Sequence, residues 1–140
     1  MFIASVGHPP THLDSHQHVH LETPVDAIVA DLAQRLDVPA RAVGSQIRFE
    51  GGFYGQSGKG DPWPAGITPE NLCMLLRALP EGVAEISCHP GFGYAGGSGY
   101  SAERYVETET LCDPLVAALL KEEEIVLTTF GNVHDRCAER

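Results

Sequence analysis

Five of the seven histidines fall between His8 and His20, mostly within the run Thr11-His-Leu-Asp-Ser-His-Gln-His-Val-His20. Imidazoles bind divalent ions and move protons at neutral pH, so a dense set of them points to metal or acid–base chemistry. In an extended strand, alternate side chains share a face. His12, Asp14, His16, His18 and His20 would then form one row, with Thr11, Leu13, Ser15, Gln17, Val19 and Leu21 on the other side. A face with that many ionisable groups makes a poor core face unless something satisfies it. Ligand atoms lie about 2.0–2.2 Å from zinc, whereas His12 and His20 would be roughly 26 Å apart in an extended chain. The expected cluster is therefore Asp14, His16 and His18, with His20 joining only if the chain turns. The competing reading is a solvated histidine-rich surface or a set of hydrogen-bonded core histidines.

A strand from Thr11 to about His18 must carry this row. Pro24 follows in the position of a first-turn helical proline, and Val25, Ile28, Val29, Leu32 and Leu36 recur at helical spacing up to Pro39. Ala42 to Phe49 reads as a second strand. Glu50 to Gly66 is rich in glycine and proline, and a loop of that length in a compact domain is usually functional or disordered. Thr68 is suited to cap a helix that begins at Pro69 and buries Leu72, Leu75, Leu76 and Leu79 before Pro80. Val83 to Cys88 is a short strand ending at His89-Pro90-Gly91. A second glycine-rich loop, Gly91 to Gly99, leads to a helix expected over Ala102 to Glu123. Glu103, Glu107 and Lys121 are placed on its exposed side. Ile125 to Phe130 is the last predicted strand, and the tail after Asn132 reads as frayed.

Strands that alternate with helices imply an α/β fold with a parallel sheet, whose ligands gather at the C-terminal ends of strands. Both the histidine run and His89 fall at such ends. Cys88 and His89 are adjacent and would face opposite sides of a strand, so Cys88 is expected in the core and not as a nucleophile.

The 140 residues amount to one domain, and 43% apolar with 20% charged residues is a globular composition. A net charge of −10 without a basic stretch argues against nucleic acid and against an anionic membrane surface. Cys73, Cys88, Cys112 and Cys137 form no CxxC pair, the pattern of thiols in a reducing compartment. No apolar run approaches the roughly 18 residues of a membrane span, and the opening Met1-Phe-Ile-Ala-Ser lacks the basic flank of a signal peptide. The expected location is cytoplasmic.

Pro10-Thr-His-Leu-Asp-Ser-His-Gln-His-Val-His20 resembles the signature of the YdjC-like carbohydrate deacetylases. The likeness continues through Phe53-Tyr54-Gly55-Gln56, Gly60-Asp-Pro-Trp-Pro64, Glu85-Ile-Ser-Cys-His-Pro-Gly91, and the segment with Tyr100, Arg104 and Glu107 to Pro114. This resemblance implies a parallel β/α repeat of barrel-like fold, hydrolysis of an N-acetyl group on an amino sugar, and a divalent metal, magnesium or else zinc. His16 matches a family metal ligand, and His20 is a second ligand candidate. Asp14 is a candidate orienter or base, His18 a ligand or acid, and His89 an acid or a substrate-holding group. Arg48, Tyr54 and Trp63 are candidate substrate contacts, although such residues also serve as ion pairs and loop anchors.

The family's N-terminal Asp-Asp pair and its Gly-x-His-Leu-like histidine motif do not occur in this sequence. A complete (β/α)₈ barrel needs about 250 residues. Residues 1–140 are thus expected to form a single YdjC-like domain without the family's N-terminal part, about half of the barrel-like fold. Unpaired sheet edges invite another chain, so the expected partner is a second copy or a separate N-terminal half. The alternative is a non-catalytic metal- or sugar-binding remnant with a regulatory or interaction role.

Overall fold

A computed structural model describes residues 2–43, 47–92 and 99–133, and the chain divides into two units, Met1–Arg48 with Leu127–Arg140 and Phe49–Val126. In the first unit, α1 (Phe2–Val6) precedes α2 (Val25–Leu36). Asp37 ends α2 in the left-handed region (φ 54°), and its amide returns to the carbonyls of Ala33 and Gln34. That is the closing geometry glycine usually supplies, which Asp tolerates better than most residues.

The predicted histidine strand shrinks to one parallel bridge between Leu13 and Ala40. Leu13 donates its amide to Pro39 and accepts from Arg41, both at 2.9 Å. The chain then tightens into a 3-10 turn over His16–Leu21, with Gln17 and His18 at φ 55° and 57°. Positive φ at successive residues destroys the alternation on which the row of imidazoles depended. The local cause is Ser15, whose hydroxyl oxygen accepts the His20 amide at 3.0 Å. A side chain that satisfies the backbone locally competes with sheet pairing.

The second unit builds its core from Phe53, Ile67, Leu72, Cys73, Leu76, Val116 and Leu119. β1 (Ile47–Glu50), which starts just before the unit boundary, and β2 (Val83–Ile86) form a two-stranded parallel sheet. Between them runs α3 (Pro69–Arg77), capped as expected by Thr68, whose hydroxyl accepts the Asn71 amide at 3.2 Å. The strand predicted from Ala42 begins only at Ile47, and part of that span, 44–46, lies outside the described residues.

The long helix predicted over Ala102 to Glu123 is two helices, α4 (Ala102–Leu111) and α5 (Pro114–Glu122). Pro114 has no amide hydrogen to give and forces its predecessor out of the helical region. Asp113 accordingly sits at φ −67°, ψ 133° and caps α5, accepting the Leu115 amide at 2.8 Å. The strand expected over Ile125 to Phe130 does not form: 125–129 are irregular and 130–133 turn helically. The predicted loop from Gly91 to Gly99 and the tail after Asn132 fall largely on 93–98 and 134–140, outside the described residues.

Candidate functional site

Chemistry-bearing side chains gather in each unit separately. In the first unit, Asp14 forms a 2.7 Å ion pair with Arg41 and accepts the Ser15 amide at 2.6 Å. Its partners are thus a guanidinium and a backbone amide, and not the imidazole it was expected to orient. His20 is 2% exposed, and both ring nitrogens are hydrogen-bonded. The Arg41 carbonyl can only accept, so Nε2–H donates to it at 2.8 Å. Nδ1 then accepts from the Ser15 hydroxyl at 2.6 Å. His20 is thus a lock for the turn, with both ring nitrogens, expected as ligand atoms, engaged in hydrogen bonds within the fold.

His16 is exposed at the head of the same turn, and His18 is half-buried with its ring 6.0 Å from that of His20. His12 stacks on Phe130 at 4.2 Å between ring centroids. Among the described residues, no three His, Cys, Asp or Glu side chains converge as a ligand set. With Asp14 held by Arg41 and His20 committed to the turn, the expected trio of Asp14, His16 and His18 does not form one. The described residues of this chain therefore do not by themselves fit a divalent ion.

In the second unit, a different cluster surrounds a carboxyl group that sequence reasoning had placed on the surface. Glu107 is 0% exposed. Its Oε1 accepts the Tyr100 hydroxyl and its Oε2 accepts the backbone amide of His89. The His89 Nδ1 lies 4.0 Å from Oε1, with 41% of the His89 side chain exposed. Tyr54 stacks on Tyr100 at 4.8 Å and 7° between planes, and the His89 ring tilts against both at 5.5 Å.

The Tyr100 oxygen also accepts the Gly55 amide at 2.7 Å. A β-carbon at Gly55 would stand 2.8 Å from Glu103 Cγ and 3.0 Å from the Tyr100 oxygen, so only glycine permits this approach. Burial first, and then the hydrogen bond to Glu107, push the Tyr100 phenol well above its ordinary range.

Helix α4 holds the His89–Gly91 turn a second time, because the Gly91 amide reaches Thr108 Oγ1 at 2.9 Å. Gln56 donates to Glu103 at 3.3 Å and to the Gly99 carbonyl at 2.9 Å. Of the expected substrate contacts, Tyr54 belongs to this cluster, Trp63 is 46% exposed in its loop, and Arg48 is exposed on β1. Cys88 is exposed, which corrects its placement in the core; β2 ends at Ile86, before the strand could bury it.

Glu107 was missed because the inward side of α4 is polar. Buried Glu107 and Thr110, with half-buried Glu103, look in sequence like a solvent face. The usable signal was the segment that holds Tyr100, Arg104 and Glu107 together, which follows the one that ends at His89-Pro90-Gly91.

The fold and clusters define an α/β protein with a parallel sheet and two polar, imidazole-bearing centres. The YdjC-like protein family matches residues 1–122, and the chain belongs to that family. It is 33% identical to a carbohydrate deacetylase of Geobacillus stearothermophilus, over 90% of this chain and 53% of that protein. A chitooligosaccharide deacetylase of Serratia marcescens is 30% identical, over 94% of this chain and 56% of the relative. A crystal structure of an Enterococcus faecalis protein assigned to cellobiose-phosphate cleavage superposes with a TM-score of 0.72 at 27% identity. That superposition covers 94% of this chain and 56% of the other. The chain thus spans about half the length of the curated relatives it matches.

Proposed function

We propose that this chain is one part, about half of a (β/α) barrel-like fold, of a metal-dependent carbohydrate N-deacetylase acting on an amino sugar. The observation that carries the reading is the family match over residues 1–122, beside the likeness to relatives named carbohydrate deacetylase and chitooligosaccharide deacetylase. The reaction adds water across an amide: a C–O bond forms to the acetyl carbon, the C–N bond breaks, and the nitrogen takes a proton. A bound divalent cation, magnesium or zinc, would acidify the water and polarise the carbonyl. Because the described residues supply no complete ligand set, we assign the missing ligands to another chain: a second copy or a separate partner.

Within this chain the roles divide by exposure. His16 is the accessible imidazole of the first unit and the ligand candidate, with His18 beside it. The Asp14–Arg41 pair and the Ser15–His20 lock hold the turn from which His16 projects. In the second unit His89 is the candidate proton donor to the departing nitrogen, with Tyr54 and Trp63 as candidate sugar contacts; Arg48, the last residue of that stretch of the first unit, is a separate polar candidate.

The test is acetate release from N-acetylglucosamine oligomers, together with metal content, for the purified protein supplied with magnesium or zinc. Stoichiometric metal that disappears in His16→Ala, along with turnover, is the expected result. Unchanged metal content in His16→Ala would refute the ligand assignment. Sugar binding without acetate release would instead establish the second reading, a non-catalytic metal- or sugar-binding remnant.

A further inference from the structure

A carboxyl group buried beneath an imidazole, with no exposed surface of its own, needs an account beyond packing. Removing a carboxylate from water is costly unless hydrogen bonds satisfy it. Glu107 receives such bonds on each oxygen, from the Tyr100 hydroxyl and from the His89 amide. Oxygens that both accept form the pattern of an ionised carboxylate. Glu107 therefore touches His89 twice, once through the backbone amide and once across 4.0 Å to ring Nδ1.

We propose that Glu107 is a positioning residue for His89: it anchors the turn that carries the ring and holds the imidazole with Nδ1–H toward the carboxylate. This rests on the deacetylase reading only for the use to which His89 is put. An Nδ1 lone pair facing a carboxylate oxygen is repelled and an N–H is attracted, so neutral His89 carries its hydrogen on Nδ1. Nε2 is then the nitrogen that takes up a proton, and in the cationic ring the one that gives it to a leaving amine. The surrounding rings enforce the orientation, since Tyr54 and Tyr100 each contact His89 at 5.5 Å. Tyr100 also ties this arrangement to the glycine-rich loop through the Gly55 amide. His89, Tyr54 and Tyr100 therefore share a single buried anchor.

The experiment is nitrogen-15 NMR of the histidine side chains at about pH 8.5, two units above the ordinary imidazole range, with His89 assigned from its loss in His89→Gln. In the unsubstituted protein the two His89 nitrogens should be widely split in the Nδ1–H pattern. In Glu107→Gln the carboxamide presents one nitrogen to a donor, and the His89 pattern should revert toward the mixture of a free imidazole. A purely packing role would lower the melting temperature while leaving that pattern intact. An unchanged His89 pattern in folded Glu107→Gln, or an Nε2–H pattern in the unsubstituted protein, overturns the proposal.

If Glu107→Gln does not fold, Tyr100→Phe decides. It removes one of the two donors to Glu107 and should shift the His89 resonances part of the way; no shift overturns the proposal. None of these readings needs turnover, so they separate failure of this inference from failure of the deacetylase reading. Where turnover is present, kcat in Glu107→Gln should fall on the order of 10- to 100-fold, the range for a residue that orients a catalytic group, with KM little changed.

Discussion

At the scale of single residues, Tyr100 links a glycine amide to a buried carboxylate, and its phenol must stay protonated to donate to Glu107. Its pKa is raised, mainly by burial and then by Glu107. A group raised in the folded state contributes stability that is complete below its unfolded pKa, about 10 for tyrosine, and is lost as pH climbs toward the folded value. Melting temperatures should therefore hold up to about pH 10 and decline above it. In Tyr100→Phe the decline should flatten, at a cost at neutral pH of roughly 1–3 kcal/mol for the orphaned Gly55 and Glu107 groups. An equally steep alkaline decline in Tyr100→Phe would contradict this assignment. Residue types were legible here, whereas their roles were not. His20 was read as a ligand and Asp14 as an orienter or base because type and spacing are visible in sequence, but the Arg41 carbonyl and guanidinium that engage them are brought in by the fold.

At the scale of elements, the Asp113-Pro114 pair sets where one helix stops and the next starts. Asp113→Ala removes the oxygen that accepts the Leu115 amide and should cost about 1 kcal/mol. Denaturant unfolding would show this as a lower midpoint with an unchanged slope, and a midpoint within error of the parent would dismiss the cap. The proline was visible in sequence, yet apolar periodicity continued past it and suggested one long helix. Helix α3 was fully legible because Thr68, Pro69 and the leucine stripe agree at every level. The histidine strand and the last strand were not, since period-two alternation also occurs in irregular chain when no partner strand is present to pair it.

At the scale of the whole molecule, several large apolar side chains stay in solvent. Phe2, Ile3 and Val6 of α1 and Ile28 and Leu32 of α2 are each more than 40% exposed. Among the described residues the sheet has two strands, and so small a parallel sheet is marginal unless its faces and edges are covered. We expect the purified protein to sediment above its monomer mass of 15.1 kDa, or to do so once a complementary chain is supplied. A single monomeric species under both conditions would count against a completed assembly. The parallel α/β class was legible from strand–helix alternation. The shortage of buried apolar surface was not, because the residues on α1 and α2 carry ordinary core signatures.

Helix α4 reaches its neighbouring loops through main-chain atoms: Glu107 holds the His89 amide, Thr108 the Gly91 amide, and Thr110 the Ile67 carbonyl at 2.6 Å. Handles of that kind are common to nearly every amino acid. The moorings themselves therefore do not depend on side-chain identity at His89 or Ile67, and this helix serves as a fixed bench for the loops it tethers.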